Sequence, residues 1–298
     1  MRALVTGGSG FVGTWLTQHL RAQGDEVTSI DHEVDVTSGD ALSEAVREIA
    51  PEAVYHLAAL SHVGRSWADP AEVFRVNALG TLNVLEAARA CPRPPRVLVT
   101  SSAEVYGAVT DDMLPLLETS TVAPVTPYGA SKAAAEILGL QAHLGYGLEV
   151  VVVRPFNHVG PGQGTEFAVS SLASKIVDAR RCEEKQLSVG NLAARRDLTD
   201  VRDVVRAYRL LVERADAGEV FNVCTGVDVS ISEVAEMLLE IAGVDLEVVV
   251  DPSLVRRVDV PVLRGDPGKL ETSTGWKPEI SLSKTLEDVL EYFEREAS

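Results

Sequence analysis

A glycine-rich turn near the N-terminus limits the fold of this chain more than any other feature. Gly7-Gly8-Ser9-Gly10-Phe11-Val12-Gly13 follows the apolar run Ala3-Leu4-Val5 and opens into the helical spacing Phe11, Trp15, Leu16, Leu20. Strand, glycine turn and helix in that order make a dinucleotide site. Glycine permits the tight turn and the close backbone approach, and the helix N-terminus offers unpaired N–H groups and positive dipole to a pyrophosphate. The turn assigns cofactor contacts to Gly7, Gly10, Phe11, Val12 and Gly13. Further on, Tyr128-Gly129-Ala130-Ser131-Lys132 puts a phenol and an ammonium on one helix face. The ammonium is expected to favour the phenolate, so that Tyr128 exchanges a proton near neutral pH. Alone, the first element is a bare turn and the second a solvated helix. Together, with Ser101-Ser102 between them, they point to nucleotide-dependent oxidoreductase chemistry on a carbinol or ketone.

The rest of the first half supports such a frame. Apolar runs near residues 3–6, 26–31, 53–56, 97–101 and 149–154 alternate with helical patterns near 11–23, 41–49, 76–90 and 128–144. This alternation predicts an α/β fold, a doubly wound parallel (Rossmann) sheet with ligands at the carboxyl ends of its strands. After Pro155 the pattern becomes irregular: a loop at 160–164, a helix end over 178–185, a strand at 220–223, a helix at 232–242, strand and loop over 246–270, and a final helix at 283–295. The expected organisation is a dinucleotide-binding domain over 1–155, with returning segments near 197–230, and a smaller discontinuous substrate lobe over 156–298. No Pro/Gly/Ser linker separates them, so the active site is expected in the cleft between.

Charge narrows the partners. Lys and Arg total 27 against 44 Asp and Glu, a formal net charge of -17. Such a surface repels nucleic acid and anionic membrane, so neither is expected as a partner. An anionic substrate would need a local arginine cluster. Cys91, Cys182 and Cys224 have no metal-ligand spacing and cannot all pair with one another, which suits a reduced cytoplasm and predicts no metal site. A strand starting at Arg2 leaves no room for a signal peptide, and no apolar run approaches membrane-spanning length, so a cytoplasmic location is expected.

Asp31 closes the second strand, near the distance from the glycines at which a carboxylate accepts from an adenosine ribose. A carboxylate there disfavours a 2′-phosphate, so NAD(H) is favoured. His32 could donate to a phosphate and keeps NADP(H) open. Asp35-Val36 is expected after a further short strand, and the small residues of Leu57-Ala58-Ala59 let a dinucleotide pass over the strand ends. Asn77 is expected to open a helix, where a plain N-cap is one reading.

These motifs together resemble an extended short-chain dehydrogenase/reductase of the nucleotide-sugar-modifying type, from Met1 to about Trp276. The resemblance implies that Ser102 polarises a sugar carbonyl or hydroxyl, that Tyr128 is the acid/base, and that Lys132 holds the nicotinamide ribose. It gives Asp35 and Val36 the adenine and Asn77 a structural role. Glu104 separates subfamilies. Deoxythymidine-sugar 4,6-dehydratases carry an Asp-Glu pair where this chain has Ala103-Glu104, whereas GDP-mannose 4,6-dehydratases keep only the Glu, and related reductases carry a Glu that need not be catalytic. The segments 154–163 (Arg-Pro-Phe-Asn-His-Val-Gly-Pro-Gly-Gln) and 61–67 (Ser-His-Val-Gly-Arg-Ser-Trp) resemble those of GDP-mannose 4,6-dehydratases and GDP-4-keto-6-deoxy-mannose reductases. They imply substrate contacts from Ser61, Val63, Ser102, Glu104 and Asn157, with Arg195 or Arg196 on the phosphates. Arg257, before Asp259-Val260-Pro261, and Asp266 with Lys269 resemble a C-terminal signature whose arginine reaches the diphosphate.

Between the sister families, Arg196-Asp197-Leu198-Thr199-Asp200-Val201-Arg202-Asp203-Val204 resembles the reductase form, and the Asp31-His32 turn lacks the double-arginine loop of the dehydratases. The expectation is therefore NAD(P)H-dependent reduction of a GDP-4-keto-6-deoxy-hexose at C4. GDP-mannose 4,6-dehydratase with Glu104 as base comes second and nucleotide-sugar 4-epimerase third. A non-catalytic dinucleotide-binding regulator would have no use for Ser102, Tyr128 and Lys132 as a set. Apolar positions beyond one buried stripe on the helices at 76–90 (Ala78, Leu82, Val84, Leu85, Ala88) and 128–144 (Ala133, Ala134, Ile137, Leu138), with the resemblance, imply a homodimer paired through a four-helix bundle.

Overall fold

The computed structural model describes residues 1–251 and 260–297. The first part runs β1 (Arg2–Thr6), α1 (Phe11–Ala22), β2 (Glu26–Ile30), α2 (Gly39–Ile49), β3 (Ala53–His56), α3 (Pro70–Phe74), α4 (Gly80–Arg89), β4 (Arg96–Thr100), α5 (Pro127–Tyr146) and β5 (Val150–Pro155). It continues with β6 (Asn157–Val159), α6 (Ala168–Cys182), β7 (Gln186–Val189), β8 (Arg195–Asp200), α7 (Val201–Arg214), β9 (Val220–Val223), β10 (Asp228–Ser230) and α8 (Ile231–Ala242). The last elements are β11 (Glu247–Val250), β12 (Val262–Leu263), α9 (Gly268–Thr274) and α10 (Leu282–Glu296).

Six parallel strands form the central sheet in the order β2-β1-β3-β4-β5-β9. Chain direction across the sheet reverses between β1 and β3, the switch point where open α/β sheets leave a crevice for ligands. Thr6 pairs with both Ile30 and His56, so the strand ends bordering that crevice lie level. Both sheet faces are covered, because strand alternation sends Leu98, Val151 and Val153 to one core and Val97, Val99, Val150 and Val152 to the other. The first core is closed by α1 and α7 through Leu16, Leu20, Val204, Tyr208 and Leu211, the second by α2 and α4 through Leu42, Val46, Val84 and Leu85. Helix α7, absent from the sequence expectation, had a signal: Val201, Val204, Val205, Tyr208, Leu211 and Val212 recur at helical spacing and are all buried. Its N-terminus is capped by Asp200, whose carboxylate accepts from Arg202 N–H at 2.8 Å. A separate core of α6, α8 and α10, with Ile176, Leu172, Leu238 and Leu286, supports β7 and β8.

Two expectations are corrected here. No strand lies between Asp31 and Asp35; Val34 N–H bonds Asp31 O in a turn, and the next element is α2. Val84, Leu85 and Ala88 of α4 and Ala133 of α5 are core residues rather than spare apolar positions, since α4 packs between α2 and α5. Ile137, Leu144 and Tyr146 are the large exposed residues on α5. Among the described residues no helix is long and apolar enough to cross a membrane.

Candidate active site

The carboxyl ends of the strands and the α6–β8 lobe enclose a cleft of about 1000 Å³. The glycine turn forms its floor. Gly7 sits at φ +72°, where a Cβ would lie 2.8 Å from Ala58 N, and a Cβ on Gly13 would strike the Gly7 carbonyl oxygen. Gly10 caps α1 without a side-chain hydrogen bond, which leaves the first-turn N–H groups to a ligand. Trp15 Nε1 donates to Pro161 O at 3.0 Å, pinning the 160–164 loop against α1. The bare turn and the exposed helix end suit a pyrophosphate with its nucleosides on either side.

At one end lie Asp31, His32, Asp35 and Val36. The Asp31 carboxylate accepts from Ser9 N–H at 2.9 Å and from the Ser9 hydroxyl. Burial pushes this carboxyl up, but the Ser9 side-chain and backbone hydrogen bonds outweigh it and hold it below the usual carboxylate range. The His32 ring is 3.5 Å from Asp31 and nearly fully exposed. Asp35 accepts from Thr37 N–H and Oγ1 at 2.8 Å each. Sequence reasoning missed Glu72 and Arg75, which form the wall here: Arg75 donates to both Glu72 oxygens at 2.6 Å and reaches Thr37. Nothing in their spacing distinguishes them from an ordinary helical ion pair.

Leu57, Ala58 and Ala59 continue the floor, and Ser102, Glu104, Tyr128 and Lys132 meet at its middle. Ser102 caps the 3-10 turn Ala103–Tyr106, its Oγ accepting from Glu104 N–H at 3.2 Å. Thr126 caps α5 and Pro127 takes the first helical position, so Tyr128 and Lys132 fall one turn apart on the face that meets β4. The protonation state departs from the sequence expectation. Burial pushes the Tyr128 phenol up to about 12, against the hydrogen bond with Ser102 and together with the Glu104 charge. Lys132 does not offset this. Burial pushes its own ammonium down to about 8, and its Nζ donates to Thr100 O at 2.8 Å. Desolvation of the two buried groups opposes the attraction expected from helical spacing.

Ser61, Val63, Asn157 and Arg196 line the far side. Arg195 does not. Neighbours on a strand point to opposite faces, so on β8 Arg196 faces the cleft and Arg195 turns outward to Asp228, with Glu233 at 3.4 Å. Asn77 opens no helix: it lies in a π turn, 75–79, joining α3 to α4, and is buried beneath the floor, outside the cleft lining. Arg257 lies outside the described residues. Lys269 is held by Glu219 at 2.5 Å and Val220 O at 2.7 Å, and Asp266 caps Gly268 N–H at 2.7 Å. The outer cleft wall includes Phe167, Leu172, Lys175 and Asn191, from a segment with no motif to mark it.

The GDP-mannose 4,6 dehydratase family matches residues 31–289. The chain is 40% identical to the GDP-6-deoxy-D-mannose reductase of Pseudomonas aeruginosa, over 98% of this chain and 97% of that protein. It is 32% identical to the GDP-6-deoxy-D-talose 4-dehydrogenase of Aggregatibacter actinomycetemcomitans, over 91% and 90%. The structure of RMD from Pseudomonas aeruginosa complexed with NADPH superposes with a TM-score of 0.92 at 39% identity, covering 99% of this chain and all of that one. With the glycine turn, Ser102, Tyr128 and Lys132 gathered in one cleft, the chain belongs to the GDP-mannose 4,6-dehydratase family of extended short-chain dehydrogenases/reductases, NAD(P)-dependent enzymes of nucleotide-sugar metabolism.

Proposed function

We propose that this enzyme reduces the C4 ketone of a GDP-4-keto-6-deoxy-hexose to the secondary alcohol. The observation that carries the reading is Tyr128 beside Ser102 in a cleft where position 103 is a buried alanine with no proton to give. When bound, a reduced nicotinamide supplies the hydride that C4 gains. Ser102 holds O4, and Tyr128 delivers the proton that O4 takes up. In this reading Lys132 bonds the nicotinamide ribose, and Arg196, buried in the cleft wall, opposes the diphosphate charge with Asn157 at the sugar side. The two relatives named for GDP-6-deoxy sugars support the guanine nucleotide.

A second reading draws on Glu104, which lines the cleft near Tyr128: a 4,6-dehydratase would use it to remove the C5 proton. One experiment separates them. A reductase leaves GDP-mannose untouched without added cofactor and consumes reduced nicotinamide stoichiometrically with the 4-keto sugar. Glu104→Gln should leave that keto-sugar turnover largely intact. Unaided conversion of GDP-mannose by wild type, abolished in Glu104→Gln, would establish the dehydratase instead.

Cofactor choice follows from Asp31. Its carboxylate, kept ionised by Ser9, would face a 2′-phosphate with like charge, so reduced NAD is expected to bind more tightly than reduced NADP. The NADPH-bound relative supports the opposite choice, with exposed His32 as donor. Fluorescence titration of both decides it: a preference of about ten-fold for NADPH overturns the expectation, and Asp31→Ala should narrow or reverse the gap. A homodimer belongs to the same reading. Ile137 and Leu144, 64% and 83% exposed, border an apolar groove on α5 with Leu140. Light scattering at micromolar concentration should give twice the chain mass, and a monomer rules the dimer out. A cytoplasmic location completes the reading.

A further inference from the structure

Behind the glycine turn, His56 ends β3 with its ring buried, and the proposed chemistry makes no use of it. Nδ1 lies 2.8 Å from Thr6 Oγ1 and Nε2 lies 3.0 Å from Thr81 Oγ1. The hydrogens follow from the two ends of this chain of bonds. The Thr81 hydroxyl is 2.6 Å from Asn77 O and donates to it, since a carbonyl only accepts. With its one hydrogen committed, Thr81 Oγ1 accepts from Nε2–H. At the other end Thr6 Oγ1 accepts from Ala58 N–H at 3.3 Å and gives its hydrogen to Nδ1. A charged ring would take from the Thr6 hydroxyl hydrogen its acceptor at Nδ1. Burial, and behind it the Lys132 ammonium, also push this imidazole down to about 3.

Asn77 continues the chain on the other side. Its Oδ1 accepts from Leu60 N–H at 2.8 Å, and its Nδ2 donates to Leu60 O at 3.1 Å and Ser131 Oγ at 2.9 Å. Ser131 Oγ in turn donates to Tyr128 O at 2.7 Å. The bonds thus grip the 58–60 loop at both ends, at Ala58 N and at the Leu60 peptide groups, and end on the first turn of α5. We propose that His56, locked as the neutral Nε2–H tautomer, is a positioning residue that sets the height of the 58–60 loop beneath the dinucleotide and registers it to the turn carrying Tyr128. The inference rests on a dinucleotide lying over the glycine turn.

Nitrogen NMR of the histidine rings in the full-length protein tests the tautomer, with His56→Gln identifying the resonance. Nε2 should be protonated and Nδ1 bare, unchanged between about pH 5 and pH 8, where a free imidazole titrates. Thr81→Val is isosteric and removes the acceptor of Nε2–H, so the ring should switch to Nδ1–H. The Kd for the reduced dinucleotide should rise about five-fold, the worth of one net hydrogen bond, with kcat at saturating cofactor retained. Thr6→Val should weaken binding similarly without the switch, and Thr81→Ser should restore both signals. A charged or Nδ1–H ring in the wild type overturns the proposal. So do Thr6→Val and Thr81→Val proteins that melt earlier yet bind the dinucleotide at wild-type strength, which would make His56 a structural strut only. A wild type that bound neither NADH nor NADPH would overturn the cofactor reading itself and the positioning role with it, a different failure from wild-type affinity in the variants.

Discussion

Tyr128→Phe is expected to lower turnover of a 4-keto-6-deoxy nucleotide sugar by about 10²-fold or more, the scale of general acid catalysis, with little change in substrate affinity. The substitution keeps the ring that packs at the start of α5 and removes only the phenol. Burial pushes that phenol up to about 12, which favours the acid form that reduction requires. The Ser102 hydroxyl beside it can hold O4 but has no comparable route for replacing the missing proton. Nicotinamide absorbance at saturating substrate and cofactor gives kcat, and isothermal titration with the oxidised dinucleotide and the GDP-alcohol gives affinity. A Phe variant within about three-fold of wild type would remove Tyr128 from the proton's path and leave the assignment to another group.

Glu136→Leu is expected to lower the unfolding free energy by about 3–5 kcal/mol, the cost of leaving a buried charge unpaired. Glu136 lies on α5 one turn beyond Lys132, and its carboxylate accepts from Arg154 Nε at 3.0 Å, from Arg154 Nη2 at 2.5 Å and from Ser101 Oγ at 2.8 Å. Both charged side chains are almost fully buried, at 5% and 6% exposure. Arg154 also donates to Tyr106 Oη and Glu118 O at 3.0 Å each, and Tyr106 donates to Asn222 Oδ1 at 2.6 Å. The guanidinium therefore joins β5 to α5 and to the turn after β4, reaches β9 through Tyr106, and meets Ser101 through Glu136. Denaturant unfolding measures the loss. Arg154→Met added to Glu136→Leu should recover much of it, because a buried pair replaced by apolar groups costs far less than a broken one. A single variant within about 0.5 kcal/mol of wild type would mean that Arg154 finds another partner or water.

Much of this architecture is written in local pattern. The run before Gly7, the four-residue spacing of Tyr128 and Lys132 and the repeated strand–helix alternation place the strands of the central sheet to within a residue or two, because period and turn chemistry depend on neighbours in sequence. The glycines are legible for the same reason: only glycine fits where Gly13 meets the Gly7 carbonyl. Helix α7 was equally available, its apolar spacing hidden by six charged residues within fourteen. The Asn77 expectation went the other way, since an Asn before a helical run reads as a cap. In the chain it lies inside a π turn and spends its amide on Leu60 and Ser131.

What only the tertiary structure decided is which polar group faces which. Arg195 and Arg196 are equivalent in sequence, and the pairing of β8 with β10 sends one to Asp228 and the other to the cleft. Tyr128 is another such case: helical spacing puts an ammonium nearby, but burial pushes the phenol up and the ammonium down. Arg154, His56 and Asn77 find partners as far as 54 residues away, set by packing of whole elements. Sequence by itself determined the elements and the glycine turn, because those are fixed by backbone geometry over a few residues. Desolvation and hydrogen-bond pairing act through space, and only the assembled fold sets them.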